Sequence, residues 1–128
     1  MRSTLHPYQL FFTLRQTAAC LTLCLVAASA TQAMTIREMR ALEKTEKQGS
    51  TYTDYYLVGV REGALEAHTH AVRAGASASI CLNGRRLEPS MAKNLYTTEL
   101  KRNADLYEAD MPVQLVMVNA LGTVYPCF

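Results

Sequence analysis

Four cysteines divide this chain into two chemically different parts, and that division constrains the fold more than any other feature. Cys20 and Cys24 lie within Ala18-Ala19-Cys20-Leu21-Thr22-Leu23-Cys24-Leu25-Val26-Ala27-Ala28, an apolar run that follows Arg15. Cys81 and Cys127 lie in the remainder. Arg2 and Arg15 are the only formally charged residues before the run ends, and small residues follow it as Ala28-Ser29-Ala30 and Thr31-Gln32-Ala33. A signal peptidase requires small side chains at the −1 and −3 positions, so residues 1–33 read as a cleaved signal peptide with cleavage after Ala30 or Ala33. A membrane anchor is the alternative, but a spanning helix needs about twenty apolar residues and Arg15 blocks extension toward Phe11-Phe12. A lipoprotein would need its apolar segment before the modified cysteine, and here most of that segment follows Cys20.

Export would leave Cys81 and Cys127 as an even pair in an oxidising compartment, which predicts a disulfide between them. Two buried free thiols are the alternative. The bridge would close a loop of roughly 47 residues and, in the chain-entropy treatment, stabilise the fold by about 4 kcal/mol. A domain of residues 34–128 has a marginal core, so a staple of that size matters to whether it folds.

Loss of the leader also resets the electrostatics. The chain has thirteen Lys and Arg against eleven Asp and Glu, and removal of Arg2 and Arg15 leaves eleven of each sign. A neutral domain without a basic run has no footprint for nucleic acid or an anionic membrane, and no stable membrane insertion is expected of it.

Along residues 34–128 the apolar pattern has the helical period and lacks strand alternation, which predicts a small all-α, single-domain bundle of about four helices. The first helix is expected from Thr35 to Lys47, opened by a Thr35/Glu38 capping box and closed at Gln48-Gly49-Ser50, with Gly49 in a left-handed cap. The second is expected from Tyr52 to Ala74 as the central helix. Its face Tyr56, Gly59, Val60, Gly63, Ala67 has a small middle, which predicts close approach of another helix there. Gly75 to Ser79 reads as a small-residue connector and Leu82-Asn83-Gly84 as a turn, with Arg85 and Arg86 exposed. The third helix is expected from Pro89 to Arg102. The fourth opens near Asp110-Met111-Pro112, with Asp110 as cap and a stripe of Met111, Leu115, Val118, Leu121 and Tyr125, and Pro126 ends it.

Few residues point to chemistry. His68 and His70 are the only histidines after the leader, and on a helix they lie about 200° apart, so a shared metal is disfavoured. Ser77 and Ser79 have no His–acid pattern beside them, and Glu62 and Glu66 read as a solvated helix face. No cofactor is expected, and a binding role is preferred to an enzymatic one. Tyr52, Tyr55 and Tyr56 read either as an interface patch or as a cap on the core.

The order of features resembles the Rap1a/Tai family, the periplasmic immunity proteins of type VI secretion. The resemblance rests on Tyr56-Leu57-Val58-Gly59-Val60-Arg61-Glu62-Gly63, matching Y-x-x-G-x-x-x-G, on a cysteine about twenty residues later, and on Ala120-Leu121-Gly122-Thr123-Val124-Tyr125-Pro126-Cys127, matching A-L-x-x-x-[FY]-P-C. It spans residues 52–127. The family's proline soon after the mid-chain cysteine is replaced here by Leu82-Asn83-Gly84, and a proline commonly found after the third helix is replaced around Asn103-Ala104-Asp105. The resemblance implies a small helical fold, a periplasmic location, and the binding and blocking of an effector toxin, often a peptidoglycan amidase; some members are homodimers. Its motif residues are structural and transfer no toxin-contact site. Arg61, Glu62, Arg85 and Arg86 are therefore the polar partner-binding candidates, with solvated surface as the alternative. Two other functions compete: a periplasmic chaperone or stress-response binding protein, and a small hydrolase or metal protein.

Overall fold

The computed structural model describes residues 33–128. The signal peptide assigned to residues 1–33 and its two cleavage positions lie outside the described residues, apart from Ala33 itself. Four helices follow in order: α1 Ile36–Thr45, α2 Gly49–Arg73, α3 Met91–Arg102 and α4 Val113–Val124, with a 3-10 turn at Ala104–Leu106. Among the described residues the only β-type pairing is two isolated antiparallel bridges, Thr35 with Pro112 and Ile80 with Pro126. The all-α bundle with one disulfide is the architecture observed. No helix of the described residues is long and apolar enough to cross a membrane.

Local signals account for most boundaries. Thr35 opens α1 through the expected capping box: its hydroxyl accepts from the Glu38 N–H at 3.2 Å, and the Glu38 carboxylate accepts from the Thr35 N–H at 2.7 Å. α1 ends at Thr45, and Gly49 opens α2 instead of capping α1 in the left-handed region. The reason is steric: a Cβ at Gly49 would stand 2.1 Å from the Leu42 carbonyl oxygen, so only glycine lets the chain reverse this tightly. The left-handed cap belongs to Gly75 (φ 99°), where the N–H groups of Gly75 and Ala76 reach back to the carbonyls of Val72 and Ala71 and end α2. Asn83 (φ 50°) and Gly84 (φ 78°) form the expected turn, closed by the Arg85 N–H donating to the Leu82 carbonyl at 3.0 Å.

α2 is central, packing against α1, α3 and α4, while α3 also packs on α4. The core draws Ile36 and Met39 from α1, Leu57 and Val60 from α2, Ala92, Leu95 and Tyr96 from α3, and Val113, Val116, Met117, Ala120 and Leu121 from α4. Two expected faces are corrected. On α4, Leu115 and Val118 are 40% and 43% exposed, and Val113, Val116 and Met117 are buried instead. The helix is apolar nearly all round, so periodicity could not choose the side that packs. On α2, Gly59, Gly63 and Ala67 are exposed, and nothing lies within 4 Å of a Cβ built at either glycine. No helix approaches there; the glycines floor an open furrow of about 540 Å³ between α2 and α4.

The two chain ends of the domain are clipped. Cys81 and Cys127 are bonded with Cα atoms 5.0 Å apart, beside the Cys81 N–H donating to the Tyr125 carbonyl at 2.8 Å. His68 of α2 adds a third tie, its Nε2 accepting from the backbone N–H groups of Ser79 and Ile80 at 3.0 and 3.2 Å. At the opposite clip, the Ile36 and Arg37 N–H groups donate to the Met111 and Ala109 carbonyls, and the Val113 N–H donates to the Met34 carbonyl. The starts of α1 and α4 thus satisfy each other's unpaired donors. Pro112 is the N-cap of α4, and Asp110, expected as that cap, instead holds Arg37 through two bonds of 2.9 and 3.0 Å.

Candidate protein-interaction site

The tyrosine cluster at the start of α2 resolves into two roles. Tyr52 and Tyr55 are 51% and 75% exposed, while Tyr56 is half-buried and accepts a hydrogen bond from the Gln114 Nε2 at 2.9 Å. Tyr55 stands at the edge of a groove of about 380 Å³ between α2 and the start of α3. Thr51, Asp54 and Val58 line the α2 side and Pro89, Ser90 and Asn94 the other. Lys93 lies at its border, 2.9 Å from the Asp54 carboxylate and 3.6 Å from that of Glu43, and so ties three helices together. The Lys93 ammonium is held above its ordinary value chiefly by the hydrogen bond to Asp54. A partner would meet exposed aromatic area with polar tips beside a fixed charge pair, a combination suited to protein recognition.

The four polar candidates do not share one environment. Arg61 is 2% exposed, so it is no surface contact. Its Nη1 donates to the Glu88 carbonyl at 2.6 Å, and its Nε and Nη2 pair with Glu62, whose side chain is 61% exposed. A buried guanidinium needs such partners, and here they anchor the loop that carries Arg85, Arg86 and Pro89 onto α2. Arg85 and Arg86 are exposed on that loop. Arg61 therefore positions the loop, while Glu62, Arg85 and Arg86 remain presentable to a partner. Cys81 and Cys127 serve the fold.

One buried carboxylate was missed by sequence reasoning. Glu99 is 3% exposed among the apolar residues of α3. Its Oε1 accepts from the Asn103 Nδ2 and the Tyr107 hydroxyl, both at 2.8 Å, and the Tyr107 hydroxyl in turn accepts from Asn119 at 2.9 Å. Burial pushes the Tyr107 hydroxyl above its ordinary value. The signal was present: a carboxylate stands one turn from Leu95 and Tyr96, in line with the core. This network welds α3, the 3-10 turn and α4 and lies apart from the groove. Among the described residues no three His, Cys, Asp or Glu side chains cluster as a metal site.

Comparison of the chain with protein-family models, with curated proteins and with solved structures found no match.

Proposed function

We propose that this is a periplasmic immunity protein, exported by its N-terminal leader, that binds and neutralises a type VI secretion effector toxin. A peptidoglycan amidase is the toxin class to test first. The protein works by occupancy and not by turnover. The observation that carries the reading is the groove edged by Tyr55, 75% exposed, and backed by the loop that buried Arg61 holds in place. Exposed tyrosine beside a groove suits an interface anchor, because it supplies large contact area with a polar tip. Two parts of the Rap1a/Tai motif agree with a scaffold role, Tyr56 bonded to Gln114 and Tyr125-Pro126-Cys127 at the disulfide clip, whereas Gly59 and Gly63 stand open.

The test is binding between the purified protein and the secreted hydrolase encoded beside its gene. Tight binding with loss of hydrolase activity is expected, and Tyr55→Ala should weaken it by about tenfold or more while leaving the fold intact. Absence of binding to that neighbour overturns the reading. One observation favours the periplasmic chaperone alternative: Leu115 and Val118 expose apolar surface on α4. Promiscuous capture of unfolded clients, abolished by Leu115→Ser with Val118→Ser, would select it.

A further inference from the structure

The long connection between α2 and α3 is tied back onto α2 at two points, by side chains of different acid–base character. Near its end, the Arg61 Nη1 donates to the Glu88 carbonyl at 2.6 Å. Near its start, the His68 Nε2 accepts from the backbone N–H groups of Ser79 and Ile80 at 3.0 and 3.2 Å. A guanidinium stays charged at every physiological pH, so the first tie is fixed. An imidazole changes charge between about pH 5 and 8, so the second is not.

The direction of the His68 bonds decides what a proton does. Two N–H groups converge on Nε2, so that nitrogen presents its lone pair and the ring proton sits on Nδ1. Protonation turns Nε2 into a third donor facing two donors. The lone pair is consumed, and two backbone N–H groups lose their acceptor. His68 is half-buried and Ser79 is exposed, so protons from solvent reach the ring and water can take up the Ser79 N–H. Ile80 is 8% exposed and belongs to the core, so its release reaches the interior.

The surrounding charges do not substitute for the lost bonds. On α2, Arg61 lies two turns back on the same face and is paired with Glu62, while Glu66, His70 and Arg73 are exposed on other faces. Residues 74–80 carry no ionisable side chain. The loop that follows bears Arg85, Arg86 and Glu88, and across the Ile80–Pro126 bridge stand the Tyr125 phenol and the Phe128 carboxylate. Among the described residues no carboxylate comes within the 4.0 Å of an ion pair with His68.

We propose that His68 is a pH latch. Its neutral imidazole holds the Ser79–Ile80 backbone to α2, and protonation at Nε2 lets that segment go. Arg61 and the Cys81–Cys127 bond keep the rest of the connection attached. The closed latch takes up no proton on Nε2 and the open one does, so the closed form is favoured above the histidine range and is lost as pH falls through it. The device stands apart from the Tyr55 groove and does not depend on the immunity reading.

The test is NMR of the purified protein from about pH 8 to about pH 5, following the His68 ring nitrogens and the backbone amides together. At the upper end the ring is expected as the Nδ1–H tautomer. On acidification the Ser79 and Ile80 amides should shift along the His68 titration. Their protection from hydrogen exchange, corrected for the intrinsic effect of pH, should fall about tenfold. The Ile36 and Arg37 amides should keep their protection across this range, which separates release from unfolding. His68→Gln retains a side-chain acceptor without an ionisable ring, so it should abolish the transition, whereas His70→Gln should leave it unchanged. An Nε2–H ring at pH 8, amide shifts that do not follow His68, or a transition that survives His68→Gln overturns the latch.

Discussion

The domain is clipped at two places by the same backbone device, a single antiparallel bridge, but the two clips are reinforced by different physics. At Ile80–Pro126 the reinforcement is covalent, with Cys81–Cys127 beside it and His68 holding the approach. At Thr35–Pro112 it is entirely non-covalent: a capping box, three crossed backbone bonds and the exposed Arg37–Asp110 pair. A disulfide acts largely by restricting the unfolded chain, so its contribution is insensitive to salt and mild acid. Capping and ion pairing act only in the folded state and respond to both. The difference teaches that this small bundle has one end that salt can loosen and one whose covalent tie yields only to reductant.

The largest effect expected is at the covalent clip. Cys81→Ser should lower stability by about 4 kcal/mol, seen as a drop in melting temperature that reductant reproduces in the parent protein. An unchanged melting temperature would sink the comparison at once. His68→Ala should come next, at about 1–3 kcal/mol, because two backbone donors lose their shared acceptor; chemical denaturation measures it, and a neutral result would mean that water replaces the ring. At the other clip, Thr35→Ala should cost about 1 kcal/mol by removing the cap, with the loss confined in hydrogen exchange to the starts of α1 and α4. Between the clips, Gly59→Ala and Gly63→Ala should each raise stability by about 0.5–1 kcal/mol, since a helical backbone in open space gains from a Cβ. A loss at either glycine would show that the furrow is filled in solution.

The smallest effect is the most diagnostic. Hydrogen bonds from the Thr35 backbone and side chain hold the Glu38 carboxyl below its ordinary value. A lowered carboxyl contributes stability that is present above the ordinary glutamate range and is lost as pH falls through the lowered folded value. Acid should therefore loosen the Thr35–Pro112 clip, as read by hydrogen exchange at Ile36 and Arg37, and leave the Cys81–Cys127 bond itself intact. Unchanged exchange at Ile36 and Arg37 across that range would remove the cap from the comparison. High salt should reduce the Arg37–Asp110 contribution and leave the Cys81–Cys127 end unchanged.

Much of the fold was legible because its signals are local. The Thr35/Glu38 spacing, the Asn83-Gly84 turn, the start of α3 after Pro89 and its end at Arg102 each depend on residues within one helical turn. The cysteine pairing was legible because, once Cys20 and Cys24 are assigned to the leader, two thiols remain. The site was less so. Tyr55 could be named but not distinguished from Tyr56, since about 100° of rotation around the helix axis separates an exposed ring from one bonded to Gln114. Arg61 read as a surface residue because its burial depends on Glu88, which lies 27 positions away. Glu99 interrupts an apolar face whose meaning appears only when Tyr107 and Asn119 are brought to it.

The amino-acid sequence by itself determined that the domain is helical, where α1 opens, where the Asn83-Gly84 turn falls, and which two cysteines are joined. These are consequences of backbone dihedral preference, of caps and of cysteine count, all read from near neighbours or by elimination. Only the tertiary structure decided which side of α4 faces inward, why Gly49 is required while Gly59 and Gly63 stand open, and how the starts of α1 and α4 come to cap each other. The reason is common to all three. A helix that is apolar all round, or small along one face, carries no preference for a partner until a second helix occupies one side of it.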